Sequence, residues 1–321
     1  MKVGITLPQI GEHATKENII NLSKRAEKQG FDSLWVLERL VWPLKPMTPY
    51  PGTKDGSLPT HFQNVFDPLE LLSFVAANTE KISLGTAVID MFYHNPVILA
   101  RAFATLDILS DGRVISGFGI GSLKDEYRVT NIPFKYRGKR ADEFLQVLES
   151  IWTDDIVEFR GEFYDIPACK IGPKPIQSPH PPIYLGGANP NTFRRIVNYD
   201  AEGWVITARG SIQQIEDGIE ILRDEAIKAD KDPNKFKVIV LVSPHIVSYR
   251  DNNNKDNETQ SRDRHMTQSD FSGTIEKVGR DLQILKELGV EHVVLSYHFL
   301  PEGQDMEEII NTSKELRLYV R

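Results

Sequence analysis

The chain has 321 residues, of which 40% are hydrophobic and 26% charged, with a formal net charge of -7. That is the make-up of a globular protein, and it offers no basic stripe for nucleic acid and no apolar run long enough to span a membrane. Cys169 is the one cysteine, which excludes an intrachain disulfide and fits a reducing, cytoplasmic setting.

The N-terminal MKVGITLPQI reads as a strand stopped by Pro8, not as a signal peptide. Thr15 caps a helix with Ile19, Ile20, Leu22 and Ala26 on one side, and Gly30 ends it. Ser33–Leu37 is the second strand and runs into Glu38-Arg39. Residues 41–66 form a long segment rich in proline and glycine, the kind of insertion that is usually functional. Asp67-Pro68 opens a helix to Thr79, and Ile82–Ile89 is the third strand.

Asn95-Pro96 opens the next helix, Asp111-Gly112 makes a turn, and Arg113–Phe118 is the fourth strand. A helix over Arg140–Trp152 leads into an irregular stretch, 153–181, with β-like pieces around Val157–Tyr164. Strands follow at Pro182–Leu185, Gly203–Ile206, Phe236–Val247 and Glu291–Ser296. Helices follow near Asn191–Asn198 and Ser211–Ala229, from Ile275 to Leu288, and over Met306–Tyr319. Residues 249–270 are polar and read as a loop.

Eight strands alternating with helices imply parallel pairing and right-handed crossovers. They close naturally into a single α/β domain over residues 1–321, a (β/α)8 TIM barrel. The rival, a doubly wound sheet, would carry a glycine fingerprint after its first strand, where Leu7-Pro8-Gln9 stands instead. In a barrel the strand-to-helix loops share one rim. That gathers Pro8 and Gln9, Glu38 and Arg39, Asp90 through His94, Gly119 through Asp125, Gly186 through Asn189, Thr207 through Gly210, and Tyr297 with His298. Residues 41–66 and 249–270 leave from the same rim and are candidate lids.

Gly186-Gly187-Ala188-Asn189 stands between a strand and a helix, where backbone N–H groups suit a phosphate; a plain tight turn is the alternative. Gly117-Phe118-Gly119-Ile120-Gly121 lacks the dinucleotide spacing and reads as a small-residue rim beside a planar ligand, or as a strand exit. Glu38 offers a proton relay and Arg39 an anion hold, or the two form a rim salt bridge. Tyr93 and His94 are acid, base or stacking candidates, with helix capping or a bond to a neighbour as the alternative for His94. No HEXXH, paired CXXC or G-x-S-x-G is present, so neither a metal site nor serine hydrolysis has support.

The stretches GFDSLWVLERLVWP, DPLELLSFVAANTEKISLGTAV, NPVILARAFATLDILSDGRVISGFGIG, RGKRADEFLQVLESIW and PKPIQSPHPPIYLGGANPNTFRRI together resemble the luciferase-like monooxygenase superfamily, and within it the coenzyme F420-dependent oxidoreductases. The resemblance implies a bacterial luciferase-like barrel with an insertion before strand five, a cofactor at the C-terminal rim, and a homodimer with a small-molecule substrate. By motif match, Thr86-Ala87-Val88 corresponds to the bulge behind the cofactor ring, with a non-prolyl cis bond between Ala87 and Val88. Asp90 joins it among the cofactor-binding positions. Ile120, Gly121, Ser122 and Asp125 correspond to ring and side-chain contacts, and Gly186, Gly187, Asn189 and Pro190 to phosphate contacts.

Glu38, Arg39, His94 and Ser122 are the catalytic candidates. Sugar-phosphate dehydrogenases of the branch carry Asp-His where Glu38-Arg39 stands and a glutamate where Ser122 stands, so glucose 6-phosphate is not the expected substrate. The implied chemistry is hydride transfer at the deazaflavin. An FMN monooxygenase using oxygen and a non-catalytic flavin-binding barrel are the alternatives. The deazaflavin's longer acidic tail would favour a basic rim, for which Arg39, Lys45, Lys54, Arg194 and Arg195 are candidates.

Overall fold

The computed structural model describes residues 1–50, 53, 55–209, 211–246, 270–298 and 305–320. The lid expected at 249–270 lies, but for Asp270, outside them, as does Lys54. Eight parallel strands form the barrel: β1 (Lys2–Thr6), β2 (Ser33–Val36), β3 (Ser83–Thr86), β4 (Val114–Gly119), β5 (Ile183–Gly186), β6 (Gly203–Ala208), β7 (Lys237–Val242) and β8 (His292–Leu295). β1 pairs with both β2 and β8, and the ring closes where β3 meets β4 through Leu84↔Val114 and Gly85↔Ile115.

The outer helices are α1 (Lys16–Gln29), α2 (Pro68–Ala76), α3 (Pro96–Leu109), α4 (Arg137–Thr153), α5 (Pro190–Asn198), α6 (Ile212–Lys228), α7 (Ile275–Glu287) and α8 (Met306–Leu318). Their starts follow from local chemistry. Thr15, Asp67, Asn95, Asn189, Ser211, Thr274 and Asp305 each accept a hydrogen bond from a first-turn N–H. Proline at the first helical position adds a fixed φ in α2, α3 and α5.

Strand alternation divides the core in two. Val238, Val240 and Val242 of β7 join the large shell between strands and helices, whereas Ile239 and Leu241 join Trp35, Tyr184, Val205 and Val294 in a smaller cluster. Successive side chains of a strand face opposite sides, so the smaller cluster fills the barrel interior. Ala87, Val88 and Ile115 pack against it.

Three expectations change. The strand expected over Ile82–Ile89 breaks after Thr86, whose hydroxyl donates to Gly117 O and accepts from Gly117 N. The chain bulges through the expected cis Ala87-Val88 bond, then resumes as Ile89–Asp90 beside Phe118 and Gly119. The strand expected to reach Val247 leaves the barrel at Val242, and His245–Ile246 pair with Ser272–Gly273. A short helix, Lys124–Val129, lies in the loop after β4, where periodicity showed none because its buried face is Asp125, Glu126 and Tyr127.

Residues 153–181 hold an antiparallel hairpin, Val157–Arg160 with Asp165–Cys169, in the expected place before β5. Among the described residues no helix is long and apolar enough to cross a membrane.

Candidate functional site

The C-terminal ends of β2, β3 and β4 bring Glu38, Asp90 and Gly121 together. Glu38 is buried, and its two carboxylate oxygens are both used: one accepts from Asp90 N at 2.7 Å, the other meets His94 Nε2 at 2.6 Å. Burial works against a charged His94, but the hydrogen bond and charge of Glu38 outweigh it and raise its pKa above the ordinary imidazole value. His94 Nε2 is therefore a donor, and Glu38 Oε1 accepts from it. The alternative in which His94 caps the next helix is set aside, since Asn95 does that.

Asp90 Oδ1 accepts from Gly121 N at 2.6 Å. Burial, and then the charges of Glu38 and Glu126, push the Asp90 carboxyl up to about 7, against the pull of Arg39 and the Gly121 N–H. A carboxyl so placed can hold or release a proton near neutrality.

Arg39 is not a partner of Glu38. Its guanidinium reaches Glu126, at 2.8 Å, and lies 5.6 and 5.8 Å from the ring centroids of Tyr50 and Phe62. Glu126 also accepts from Leu40 N and from the Tyr93 hydroxyl. Sequence reasoning missed Glu126. It stands in the polar run Lys124-Asp125-Glu126, and nothing in that pattern marks it as buried. Asp125 is buried too, and both its oxygens lie within reach of Met47 N, which ties residues 41–66 to the rim. Gln9 completes that tether: its side chain bonds Leu37 O, Leu37 N and Phe66 O.

The rim glycines have a different task from the one composition suggested. A Cβ on Gly117 would stand 2.0 Å from Thr86 O, one on Gly119 2.6 Å from Val88 Cγ2, and one on Gly186 3.0 Å from Val88 Cγ1. These glycines make room for the bulge, and only through it for a ligand. The outcome is a floor at the mouth in which Ala87, Val88 and Ile120 remain part-exposed.

Beside this floor, Gly186 is part-exposed and Gly187, Ala188, Asn189 and Pro190 are exposed at the start of α5. Gly187 has φ 117, and its carbonyl is held by Trp204 Nε1. That turn and helix N-terminus suit an anionic group. Ser122 lies exposed on the rim beside Gly121. Tyr297 bonds Ser313, and His298 is buried, pushed down to about 3 chiefly by desolvation.

The floor and the α5 turn together fit a tricyclic ring with a phosphate-bearing side chain. Of the basic residues considered for an acidic tail, Arg39 is taken by Glu126, Arg195 by Asp142 and Gly138, and Arg194 by Glu225. Among the described residues no group of three or more His, Cys, Asp and Glu is placed to hold a metal ion.

A family model described as luciferase-like monooxygenase matches residues 1–292. An uncharacterized protein of Mycobacterium tuberculosis (strain ATCC 25618 / H37Rv) is 33% identical over 223 residues, 69% of this chain and 78% of that one. The F420-dependent glucose-6-phosphate dehydrogenase of Amycolatopsis mediterranei (strain U-32) is 29% identical over 221 residues, 67% of this chain and 58% of that one. Among solved structures, an F420-dependent secondary alcohol dehydrogenase in complex with an F420-acetone adduct superimposes with a TM-score of 0.74 at 20% identity, covering 100% of this chain and 99% of that one.

Proposed function

The chain belongs to the luciferase-like monooxygenase family, and from that membership and the barrel mouth we propose that it is a coenzyme F420-dependent oxidoreductase moving a hydride to or from a small organic substrate. The observation that carries the reading is the mouth itself. A part-exposed floor of Ala87, Val88 and Ile120 lies beside a cluster of buried carboxyls, with an anion-suited turn at the start of α5. The similarity to an F420-dependent relative supports the choice of cofactor.

The deazaflavin supplies hydride chemistry, and the chain does the rest. Ala87 and Val88 back the ring. Gly186, Gly187, Asn189 and Pro190 hold the phosphate. Asp90 keeps a proton within the mouth, with Glu38 and His94 hydrogen-bonded beside it. Arg39 braces Glu126 and so shapes the wall instead of binding substrate. Because Glu38-Arg39 and Ser122 differ from the sugar-phosphate dehydrogenase pattern, the proposed substrate is not glucose 6-phosphate.

FMN with oxygen is the second reading, favoured by the monooxygenase description of the matching family. Adding each cofactor to the purified protein and following its absorbance separates the two. Saturable binding of F420, with bleaching when substrate is supplied, supports the proposal, and tight binding of FMN alone overturns it.

A further inference from the structure

The chain leaves β2 at Val36 and enters α2 only at Pro68. The first part of that insertion, residues 40–50, reaches across to the loop after β4. In the ring, β3 lies between β2 and β4. A segment rooted at the end of β2 and tied beyond the end of β4 therefore passes the end of β3, where the Ala87-Val88 bulge makes the floor.

The base of this segment is fixed. Leu40 N donates to Glu126 at 2.9 Å, and Tyr50 is buried with its ring 5.6 Å from the Arg39 guanidinium carbon and 6.1 Å from the Phe62 ring. The limb between them is held lightly. Met47 N donates to Asp125, 3.0 Å from one oxygen and 3.1 Å from the other, and Lys124 N donates to Thr48 Oγ1 at 3.2 Å. Residues 41–49 belong to no helix or strand. Leu44 is 89% and Met47 53% exposed, so apolar burial adds little to those ties, and a segment so held opens at low cost. The dependence runs both ways. Asp125 is buried, a carboxylate has room for about four donors, and among the described residues Met47 N is the one it receives.

We propose that residues 40–50 form a strap across the mouth, latched by Asp125 and Thr48, which opens about its base at Arg39 to admit the cofactor. The proposal rests on the mouth being a cofactor site, whichever of F420 and FMN fills it. It gives Asp125 a task other than touching the cofactor. A latch on an entrance slows entry and escape alike, so its removal changes rates more than affinity.

The test uses the whole chain, as the wild type and as Asp125→Ala and Thr48→Val. Stopped-flow fluorescence gives association and dissociation rates for F420 and, separately, for FMN. A second arm needs no ligand. Of the four tryptophans, Trp35, Trp152 and Trp204 are buried while Trp42, in the strap, is part-exposed. Acrylamide quenching of tryptophan fluorescence therefore reports on the strap. The latch predicts that Asp125→Ala raises both rates about tenfold and leaves the dissociation constant within about twofold of the wild type's. It also predicts stronger quenching, a gain that disappears when Trp42→Phe is added.

Weaker binding through faster dissociation alone makes Asp125 a cofactor contact and overturns the latch, as do unchanged rates. If neither F420 nor FMN binds the wild type, the cofactor reading falls by itself, and the quenching arm still judges the strap: unchanged quenching overturns it. An Asp125→Ala chain that does not fold is replaced by Thr48→Val, which must quicken both rates together and raise quenching.

Discussion

The Glu126 carboxylate, with no exposed side-chain surface, takes Arg39 Nη1 at 2.8 Å while the Tyr93 hydroxyl donates to the same oxygen at 2.7 Å. Leu40 N uses the other oxygen. The four groups join the ends of β2 and β3 to the short helix after β4, so the pair acts as a brace for the mouth. Glu126→Ala leaves the Arg39 guanidinium buried without its counter-charge. The expected loss is about 3–5 kcal/mol, read from the urea midpoint, with Glu126→Gln losing less because it can still bond Tyr93 and Leu40.

The bulge depends on two glycines that differ in what a side chain would meet there. Gly117→Ala sets a Cβ against the Thr86 carbonyl, a backbone atom that cannot turn away. Failure to accumulate folded protein is the expected outcome. Gly119→Ala meets the side chain of Val88 instead, which can shift. It should fold with a loss of about 1–3 kcal/mol, and the displaced Val88 should weaken cofactor binding at least tenfold. Thermal unfolding and a cofactor titration check the two halves of this statement.

Asp90 gives a pH dependence whose sign follows from its position. Its folded-state pKa, about 7, is above the ordinary carboxyl value of 3.8. The native state therefore prefers the protonated carboxyl. That stability is complete below 3.8 and declines as pH rises through about 7. Asp90→Asn keeps an acceptor for Gly121 N and removes the charge. Its stability should be flatter than the wild type's across that window and higher at pH 8, as measured by denaturation at a series of pH values.

His94 gives the matching test from the other side. Its pKa is raised by Glu38, so the pair's stabilisation is fully present below the ordinary imidazole value of 6.5 and is lost as pH rises through the higher folded value. Asp67 and Asp90 also favour the charged ring. In carbon-13 spectra of labelled histidine, the resonance absent from His94→Gln should titrate above the ordinary range and fall in Glu38→Gln. A midpoint indifferent to Glu38→Gln would remove the pair from the account.

Much of the fold was legible because barrel units repeat a simple alternation. Asn95-Pro96 and Asn189-Pro190 mark helix starts by local chemistry alone, and the β-branched run of β7 marks a buried strand. The tight turn at Gly186-Gly187 before a helix was legible for the same reason. The partners of the mouth were not. Glu38 and Arg39 are adjacent in sequence and look like one rim pair, yet they diverge, one to His94 and the other to Glu126. The distance in sequence from Arg39 to Glu126 hides that relation, and so does the burial of a carboxylate on a short polar helix. The glycines misled in another way. Composition shows that space is needed but not what fills it, and Val88 and the Thr86 carbonyl do.

On the reading proposed above, the mouth holds a deazaflavin cofactor over the Ala87-Val88 floor. The most direct measurement is a titration of the purified chain with coenzyme F420, followed by the cofactor's fluorescence, alongside FMN and the Gly119→Ala variant. Saturable binding of F420, tighter than FMN and weakened at least tenfold in Gly119→Ala, is the expected result. F420 that fails to bind, or that binds equally well to Gly119→Ala, contradicts it.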